Sequence, residues 1–332
     1  MIERKSGCFD RFRCIAGACP DSCCKEWEVQ VDSASGRQYL ALEGDLGDRL
    51  REVLRPEGEG YAMTITDGRC PMWRQDGLCR IQAELGEEAL CHTCREFPRL
   101  LHDYGDFQER TLELSCPEVA RMLLEETYSP MTEQILPGDG EAEYDTEAME
   151  VLLATREKML SLLTESTRPV GQTLALALLY GCQAQGELDC GDAEEFDPDA
   201  ALQTAAQLAK PADHKAVTAF FQDLEILTEQ WRLRLEHPAG GSWKREHLAI
   251  ARYFVERYWL QAVADYDLYS RVKLTVISCL AVKLLGGDTV ATAQLYSKEI
   301  ENNVDNLEAI LDAAYAHPAF TDDRLLGLLL EA

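Results

Sequence analysis

Residues 247–263 read HLAIARYFVERYWLQAV, and their apolar side chains recur with the period of an α-helix. Along one helical face, at positions i, i+3, i+4, i+7 and i+11, lie Ala251, Phe254, Val255, Tyr258 and Ala262. Aromatic side chains at this spacing usually pack in a protein core, and a cofactor-binding box is the less favoured interpretation. We therefore expect this segment to be a helix with one face packed in the core.

The same period extends to both sides of this segment and predicts a helical second half. Helices are predicted over 147–165, 170–185, 198–209, 213–236, 246–264, 266–285, 288–301, 304–316 and 321–331. Breaks are expected at CGDAEEFDPD (190–199) and HPAGGSW (237–243), because Gly and Pro disfavour helix interiors.

The segment 129–146, SPMTEQILPGDGEAEYDT, has the prolines, glycines and acidic residues of a linker. A chain of 332 residues is long for one hydrophobic core, although a single large domain is the alternative. We predict a cysteine-rich metal- or iron–sulfur-binding domain over 1–128, a linker over 129–146 and a helical domain over 147–332.

The first 128 residues lack a long helical pattern, and we expect little helix before position 80. YAMTIT (61–66) alternates like a strand, Asp67-Gly68 is a turn signal, and 70–81 is predicted to continue a small meander. A helix is predicted from Ile81 to about Cys94, and another after Cys116. The predicted fold class is mainly α: a small irregular cysteine-rich α+β metal-binding domain followed by an all-α helical domain.

The charge balance argues against a nucleic acid partner. The chain has 32 Lys plus Arg against 59 Asp plus Glu, a net charge of −27, which would repel a phosphate backbone. Residues 1–120 carry 15 basic and 23 acidic side chains, and the rest carry 17 and 36. A solvated surface is the plain interpretation of this excess, and attraction of a basic partner is the functional one.

Hydropathy predicts no membrane partner and a cytoplasmic location. The longest uncharged apolar stretches, Thr173–Tyr180 and Leu274–Val282, are less than half a membrane span. The N-terminal sequence MIERKSGCFD has no apolar region typical of a secretory signal.

Cysteine is the most informative residue type, because ten of the 13 lie in the first 116 positions. The spacing is Cys14-x4-Cys19-x3-Cys23-Cys24, then Cys70-x8-Cys79-x11-Cys91-x2-Cys94, with Cys116 beyond. In a reducing cytosol such a group favours metal or cluster ligation over disulfides, and buried cysteines without metal are the alternative. Spacing alone does not separate zinc from iron–sulfur.

Several sharper motifs are absent. Position 26, which would complete the C-x3-C-x2-C of a radical S-adenosylmethionine enzyme, is Glu26. Cys94 is followed by Arg95 rather than by the histidine of a haem-attachment motif. Gly138-Asp139-Gly140 lacks the third glycine of a nucleotide-binding loop.

Four blocks, in order, closely resemble the flagellin lysine N-methylase family. They are FRCIAGACPDSCCKEW (12–27), DGRCPMWRQDGLCRIQAELGEE (67–88), TCREFPRLL (93–101) and TLELSCPEVARMLL (111–124). The resemblance covers about residues 8–127. Over 147–332 it rests only on length and helical character.

This resemblance implies transfer of a methyl group from S-adenosylmethionine to the ε-amine of flagellin lysines, in a protein with a cysteine-ligated iron–sulfur centre. A 4Fe–4S cluster is the first expectation, and zinc is the alternative. The cysteines that match the family pattern are Cys14, Cys19, Cys23, Cys24, Cys70, Cys79, Cys94 and Cys116. Cys8 and Cys91 fall outside it. Eight ligands allow two four-thiolate sites, or one cluster with additional structural thiols.

The residues themselves do not lead to methyl transfer. Attack requires a neutral lysine amine, although free lysine has a pKa near ~10.4, and the sequence identifies no base and no donor pocket. Catalytic and donor-binding residues therefore stay unassigned. Two function classes remain open: a cluster-dependent methyltransferase, and a non-enzymatic zinc- or iron–sulfur-binding adaptor or cluster carrier with a helical partner-binding domain.

Overall fold

The computed structural model describes residues 1–25, 29–66, 68–138, 140–191 and 195–331. The chain forms two compact units. The first, here called the cysteine-rich unit, comprises 11–100 together with Cys116–Glu118. The second, the helical unit, comprises 1–10, 101–115 and the chain from Val119 onward.

The described residues contain seven strands. They are β1 (Ile2–Lys5), β2 (Val29–Val31), β3 (Leu54–Glu57), β4 (Gly60–Met63), β5 (Arg99–Asp103), β6 (Phe107–Leu112) and β7 (Thr132–Ile135). They form a four-stranded sheet in the order β5-β6-β1-β7 and a three-stranded sheet in the order β2-β4-β3. In the first sheet, Ile2 of β1 pairs in parallel with Phe107 and antiparallel with Ile135.

Helices make up most of the rest. Those of the first 125 residues are α1 (Ser33–Ala41), α2 (Gly44–Val53), α3 (Arg80–Leu85), α4 (His92–Glu96) and α5 (Pro117–Glu125). The later ones are α6 (Thr146–Glu165), α7 (Val170–Cys190), α8 (Pro198–Leu208), α9 (His214–Asp223), α10 (Glu229–Glu236), α11 (Arg245–Tyr258), α12 (Leu268–Leu285), α13 (Thr289–Ile300), α14 (Val304–Ala316) and α15 (Asp322–Leu330). Within the described ranges, no helix is long and apolar enough to cross a bilayer.

The mainly helical fold class, with small sheets towards the N-terminus, is confirmed. Most second-half helices lie close to their predicted bounds, but α7 continues five residues past the predicted end at 185, to Cys190, and two predicted helices are divided. The predicted helix 213–236 is two helices, because Thr228 caps the N-terminus of α10 by accepting a hydrogen bond from Trp231 N at 3.0 Å. The predicted helix 246–264 is α-helical only to Tyr258 and continues as a 3₁₀ helix over Trp259–Ala264.

The first half differs more from the prediction. The expectation of little helix before position 80 is wrong, because α1 and α2 lie there. The predicted meander over 70–81 is reduced to an isolated bridge between Trp73 and Cys79. The predicted helix 81–94 is interrupted at Gly86, whose φ of 90° ends α3.

The two compact units divide the chain differently from the predicted boundaries of 1–128, 129–146 and 147–332. Residues 1–10 and 101–115 belong to the helical unit, and the predicted linker contains β7, which pairs with β1. Asp67 of the predicted turn, Asp139 of the glycine pair and 192–194 of the predicted break lie outside the described residues.

Ten of the 14 residues of α11 are buried in the helical unit, and they include the charged Glu256. Glu256 is 8% exposed and accepts a hydrogen bond from the Tyr128 hydroxyl at 2.8 Å. The Arg257 guanidinium lies 2.9 Å from the Glu301 carboxylate, which also accepts a hydrogen bond from the Tyr258 hydroxyl at 2.8 Å. These partners replace the water that the buried groups lack.

The buried Glu256 predicts a stability that depends on pH. Burial raises the pKa of Glu256 to about 7, against the lowering effect of Tyr128 and Arg156. A carboxyl whose pKa is raised in the folded state stabilises the fold fully below its unfolded pKa, and this contribution is lost as pH rises towards 7. The free energy of unfolding of the wild type should therefore fall by an amount on the order of 2–3 kcal/mol between pH 5 and 7.5 because of Glu256. Glu256→Gln should abolish this part of the fall.

Urea unfolding at both pH values, followed by circular dichroism, measures this difference. Glu308→Gln is the matched control, because Glu308 is exposed on α14. Glu113, whose pKa burial also raises, leaves some pH dependence in every variant. Equal slopes for wild type and Glu256→Gln would contradict the prediction.

Candidate functional site

Cysteine thiols collect in the core of the cysteine-rich unit. Its hydrophobic cluster is built from β2, α1, α2 and β4, and includes Val29, Tyr39, Leu50 and Met63. Five cysteines belong to this cluster or pack against it: Cys24, Cys70, Cys79, Cys91 and Cys94. Cysteines that are up to 70 residues apart in sequence therefore lie in one apolar environment.

Backbone contacts hold the cysteine-bearing loops together. Cys70 N donates a hydrogen bond to Cys24 O at 2.8 Å, and Lys25 and Arg69 form an isolated bridge beside it. Arg80 N donates to Met72 O at 2.7 Å, which fixes the loop before α3. The cysteine positions are thus set by the backbone as well as by apolar packing.

The thiols also interact with one another. A hydrogen bond from Cys94 lowers the pKa of Cys91 to about 7, and the same bond and burial raise the pKa of Cys94 well above its usual value. A hydrogen bond from Cys24 lowers the pKa of Cys70. Cys91 and Cys70 are therefore the sulfur atoms best prepared to become thiolates, the form that binds metals.

The first cysteine group continues this set of interacting thiols. Cys23 donates a hydrogen bond to Cys24, and this bond is the main cause of the raised pKa of Cys23. Cys19 has a pKa raised chiefly by burial, with smaller contributions from the charges of Asp21, Cys14 and Cys23. Cys14 is exposed, and its sulfur accepts a hydrogen bond from Ala16 N at 3.4 Å.

The remaining cysteines fall in different places. The chain rejoins the cysteine-rich unit over Cys116–Glu118, although the residues on either side belong to the helical unit. Cys116 is buried there, directly before Pro117, the first residue of α5, as predicted. Cys8 lies in the helical unit, with its sulfur 3.8 Å from the Ser6 hydroxyl.

Cys91 is the residue that the family pattern omits and that the structure places among the interacting thiols. It is 1% exposed, and its sulfur lies 3.8 Å from Gln30 O. The C-x2-C spacing to Cys94 was the available signal in the sequence.

Asp32 connects the helices that carry this site. It accepts hydrogen bonds from Ser35 N, at the start of α1, and from His92 N, at the start of α4, both at 2.9 Å. Although burial raises its pKa, these backbone donors lower the pKa of Asp32 to about 2. One carboxylate therefore caps α1 and positions the segment that bears Cys91 and Cys94.

The donor set suits a thiophilic metal, since zinc and iron–sulfur clusters are bound by thiolates. In the ranges that the structure describes, however, no group of three or more Cys, His, Asp or Glu side chains has the arrangement of a metal site. Several of the thiols instead form hydrogen bonds with one another. A metal would have to displace those protons, and the eight predicted ligands remain a prediction.

Three curated proteins illustrate what the chain is similar to. A lysine-N-methylase of Salmonella typhimurium is 35% identical over 121 residues, and one of Salmonella choleraesuis is 34% identical over 120 residues. The flagellar biosynthetic protein FliU of Salmonella muenchen is 34% identical over 120 residues.

The matches cover 34% of this chain, 71% of FliU and 30% of each lysine-N-methylase. The chain thus spans about a third of the length of the two lysine-N-methylases. No family model matches the chain, and no solved structure matches it.

The double role of Asp32 predicts a specific loss of stability. Asp32→Ala removes the cap of α1 and the acceptor for His92 N, and we expect it to cost on the order of 1–2 kcal/mol. Asp48→Ala is the control, because Asp48 is an exposed carboxylate that forms a surface ion pair with Arg51. Thermal unfolding at pH 7 measures both variants.

The effect of Asp32→Ala should diminish as pH falls from about 4 towards 2. A carboxylate with a lowered folded-state pKa contributes stability above its unfolded pKa and loses it as it becomes protonated. A difference between wild type and Asp32→Ala that persisted unchanged at pH 2 would show that the charge of Asp32 is not what stabilises the unit.

Proposed function

Since this chain belongs to the flagellin lysine N-methylase family, we propose that it is a protein-lysine N-methyltransferase. The observation that carries the proposal is the 34–35% identity over about 120 residues to two lysine-N-methylases and to FliU. We propose S-adenosylmethionine as the methyl donor and the lysines of flagellin as the acceptors.

We also propose that the cysteine-rich unit carries an iron–sulfur cluster, with zinc as the alternative. The collected thiols of Cys24, Cys70, Cys79, Cys91 and Cys94 support this, because they provide more sulfur donors than one four-thiolate site requires. When bound, such a cluster would join the cysteine loops through covalent bonds and supply a redox-active centre. The protein's own contribution is to hold these loops close through the Cys24–Cys70 backbone bond and the Asp32 caps.

The acidic character of the chain supports a basic protein substrate. Its net charge of −27 would attract lysine-rich surfaces from a distance, without requiring a pocket for a particular sequence. This property suits an enzyme that modifies several lysines on one partner.

The central test is methyl transfer by anaerobically purified protein. We expect the wild type to contain iron and acid-labile sulfide, and to transfer labelled methyl groups from S-adenosylmethionine to flagellin lysines. Cys24→Ser should lower both cluster content and methyl transfer more than tenfold, because it removes a thiol that is hydrogen-bonded to the Cys70 thiol. Cys182→Ser, on α7 in the helical unit, is the matched control and should retain both.

Three results would contradict parts of this proposal. Methyl transfer by a protein that contains only zinc would remove the iron–sulfur cluster. Cluster content without binding of the methyl donor would favour the adaptor or cluster-carrier alternative. Methylation of other proteins but not of flagellin would remove flagellin as the substrate.

The net negative charge also predicts that substrate binding depends on ionic strength. If exposed charges attract the substrate, binding of flagellin to the full chain should weaken several-fold between low and physiological salt, because screening acts over about 8–10 Å. Surface plasmon resonance at the two salt concentrations gives the association rate, where the effect should be concentrated. Association rates that do not change with salt would exclude electrostatic attraction.

A further inference from the structure

Strand β7 forms an open edge of the four-stranded sheet in the helical unit. Its inner edge pairs with β1, and in the part of the chain that the structure describes no strand pairs with its outer edge. All four residues of β7 are exposed. Unpaired N–H and C=O groups along such an edge are a template on which another extended segment can add a strand.

The register shows which backbone groups of β7 point outward. Leu136 N donates a hydrogen bond to Met1 O at 3.0 Å. Hydrogen-bonded positions alternate along an antiparallel ladder, so the N–H and C=O groups of Gln134 also face β1. Those of Glu133 and Ile135 point away from it. Two residues therefore each offer one donor and one acceptor to a partner strand.

The inner side of β7 is fixed by side-chain contacts with β1. The Gln134 amide donates a hydrogen bond to the Glu3 carboxylate, and Arg4 Nε donates to the Glu133 carboxylate at 2.7 Å. Glu3 is 4% exposed and also accepts a hydrogen bond from Arg110 at 2.7 Å. The edge is therefore already formed, so that binding would have to order only the partner segment.

The side chains of β7 define the kind of sequence that fits this edge. Ile135 is 88% exposed, and Ile2, its partner in register on β1, is 39% exposed. Glu133 lies on the same face as Ile135, because alternate residues of a strand share a face. The Glu133 side chain is 59% exposed despite its contact with Arg4. An added antiparallel strand would place an apolar residue opposite Ile135 and, two residues later, a basic residue opposite Glu133.

The charge of this region favours a basic partner over a second copy of the chain. The segment 129–146, which contains β7, has no basic side chain and five acidic ones: Glu133, Asp139, Glu141, Glu143 and Asp145. Two copies that met at this edge would each carry −27 and would repel each other. Lysine, which often protects exposed sheet edges, is absent from β7. Pro130 and Pro137 on either side keep the available edge short, so the pairing should be reversible.

We propose that the outer edge of β7 is a docking site for an extended basic segment of a partner protein. The segment binds as an added antiparallel strand and carries an apolar residue two positions before a lysine or arginine. Backbone hydrogen bonds to Glu133 and Ile135 provide the affinity, and the two side-chain contacts provide the selectivity. This docking site goes beyond the proposed methyl transfer and does not depend on it, because an adaptor would also have to hold a partner.

The test uses the full chain and the peptide Ser-Thr-Val-Thr-Lys-Thr-Ser-amide with an N-terminal fluorophore, and binding is measured by fluorescence anisotropy. Backbone N-methylation of the valine and the lysine removes the two N–H groups that would face β7. N-methylation of the two threonines that follow them removes N–H groups that would face away, and is the matched control. We expect the first pair to raise the dissociation constant at least tenfold and the second pair less than twofold. Glutamate in place of the lysine should weaken binding about fivefold at low salt.

Variants of the chain test the same edge from the other side. Ile135→Pro removes an outward N–H group but no hydrogen bond to β1, and it should weaken peptide binding at least tenfold. Ile135→Thr keeps this N–H group and removes the apolar contact, so the expected loss is two- to fourfold. Val304→Thr is the control, because Val304 is an apolar residue on α14 that is 64% exposed, and it should bind like the wild type. Hydrogen–deuterium exchange should slow in 131–136 when the peptide is bound.

Three results would overturn this docking site: no binding of the unmodified peptide at millimolar concentration, equal losses from the two pairs of N-methyl groups, or binding that Ile135→Pro leaves unchanged. If Ile135→Pro alters thermal unfolding, Ile135→Thr and the N-methylated peptides decide the question. A dimer that Ile135→Thr dissociates in analytical ultracentrifugation would assign the edge to a second copy instead. None of these measurements uses a methyl donor, so the docking site can fail while the methyltransferase proposal stands, and the reverse.

Discussion

The helical unit depends on the burial of α11, because this helix carries charged residues into the protein interior. Arg257 is paired with Glu301 at 2.9 Å, and Glu256 accepts the hydroxyl of Tyr128 at 2.8 Å. Removing one partner of a buried pair costs about 3–5 kcal/mol, because the other charge stays desolvated. The positions of α11, α13 and the segment that carries Tyr128 are therefore linked by electrostatics as well as by packing.

The same constraint explains why residues 101–115 join the helices. Leu114 N donates a hydrogen bond to the buried Tyr253 hydroxyl at 3.2 Å, and Gln294 Nε2 donates to Ser115 O at 2.8 Å. Glu109 of β6 accepts two hydrogen bonds from Arg156 of α6, at 2.6 and 2.8 Å. These partners are up to 179 residues apart in sequence, so a boundary chosen from local composition could not include them.

What the sequence predicted well is local, and what it missed depends on partners distant in the chain. The helix 304–316 has its predicted bounds because apolar periodicity and its cap, Asn303, act over a few residues. Helix α1, SASGRQYLA, has a weak apolar pattern and depends on the Asp32 cap and on the burial of Tyr39. The cysteine spacing predicted a group of thiols, but the interaction of Cys91 with Cys94 required the fold.

The acidic charge creates opposite demands on the proposed lysine methylation. Negative charge attracts a lysine ammonium, but it also stabilises the protonated form and so raises the pKa of the amine that must act as nucleophile. Docking and chemistry therefore need different environments. The acidic surface can serve the first step, whereas methyl transfer requires a desolvated position where the neutral amine is favoured.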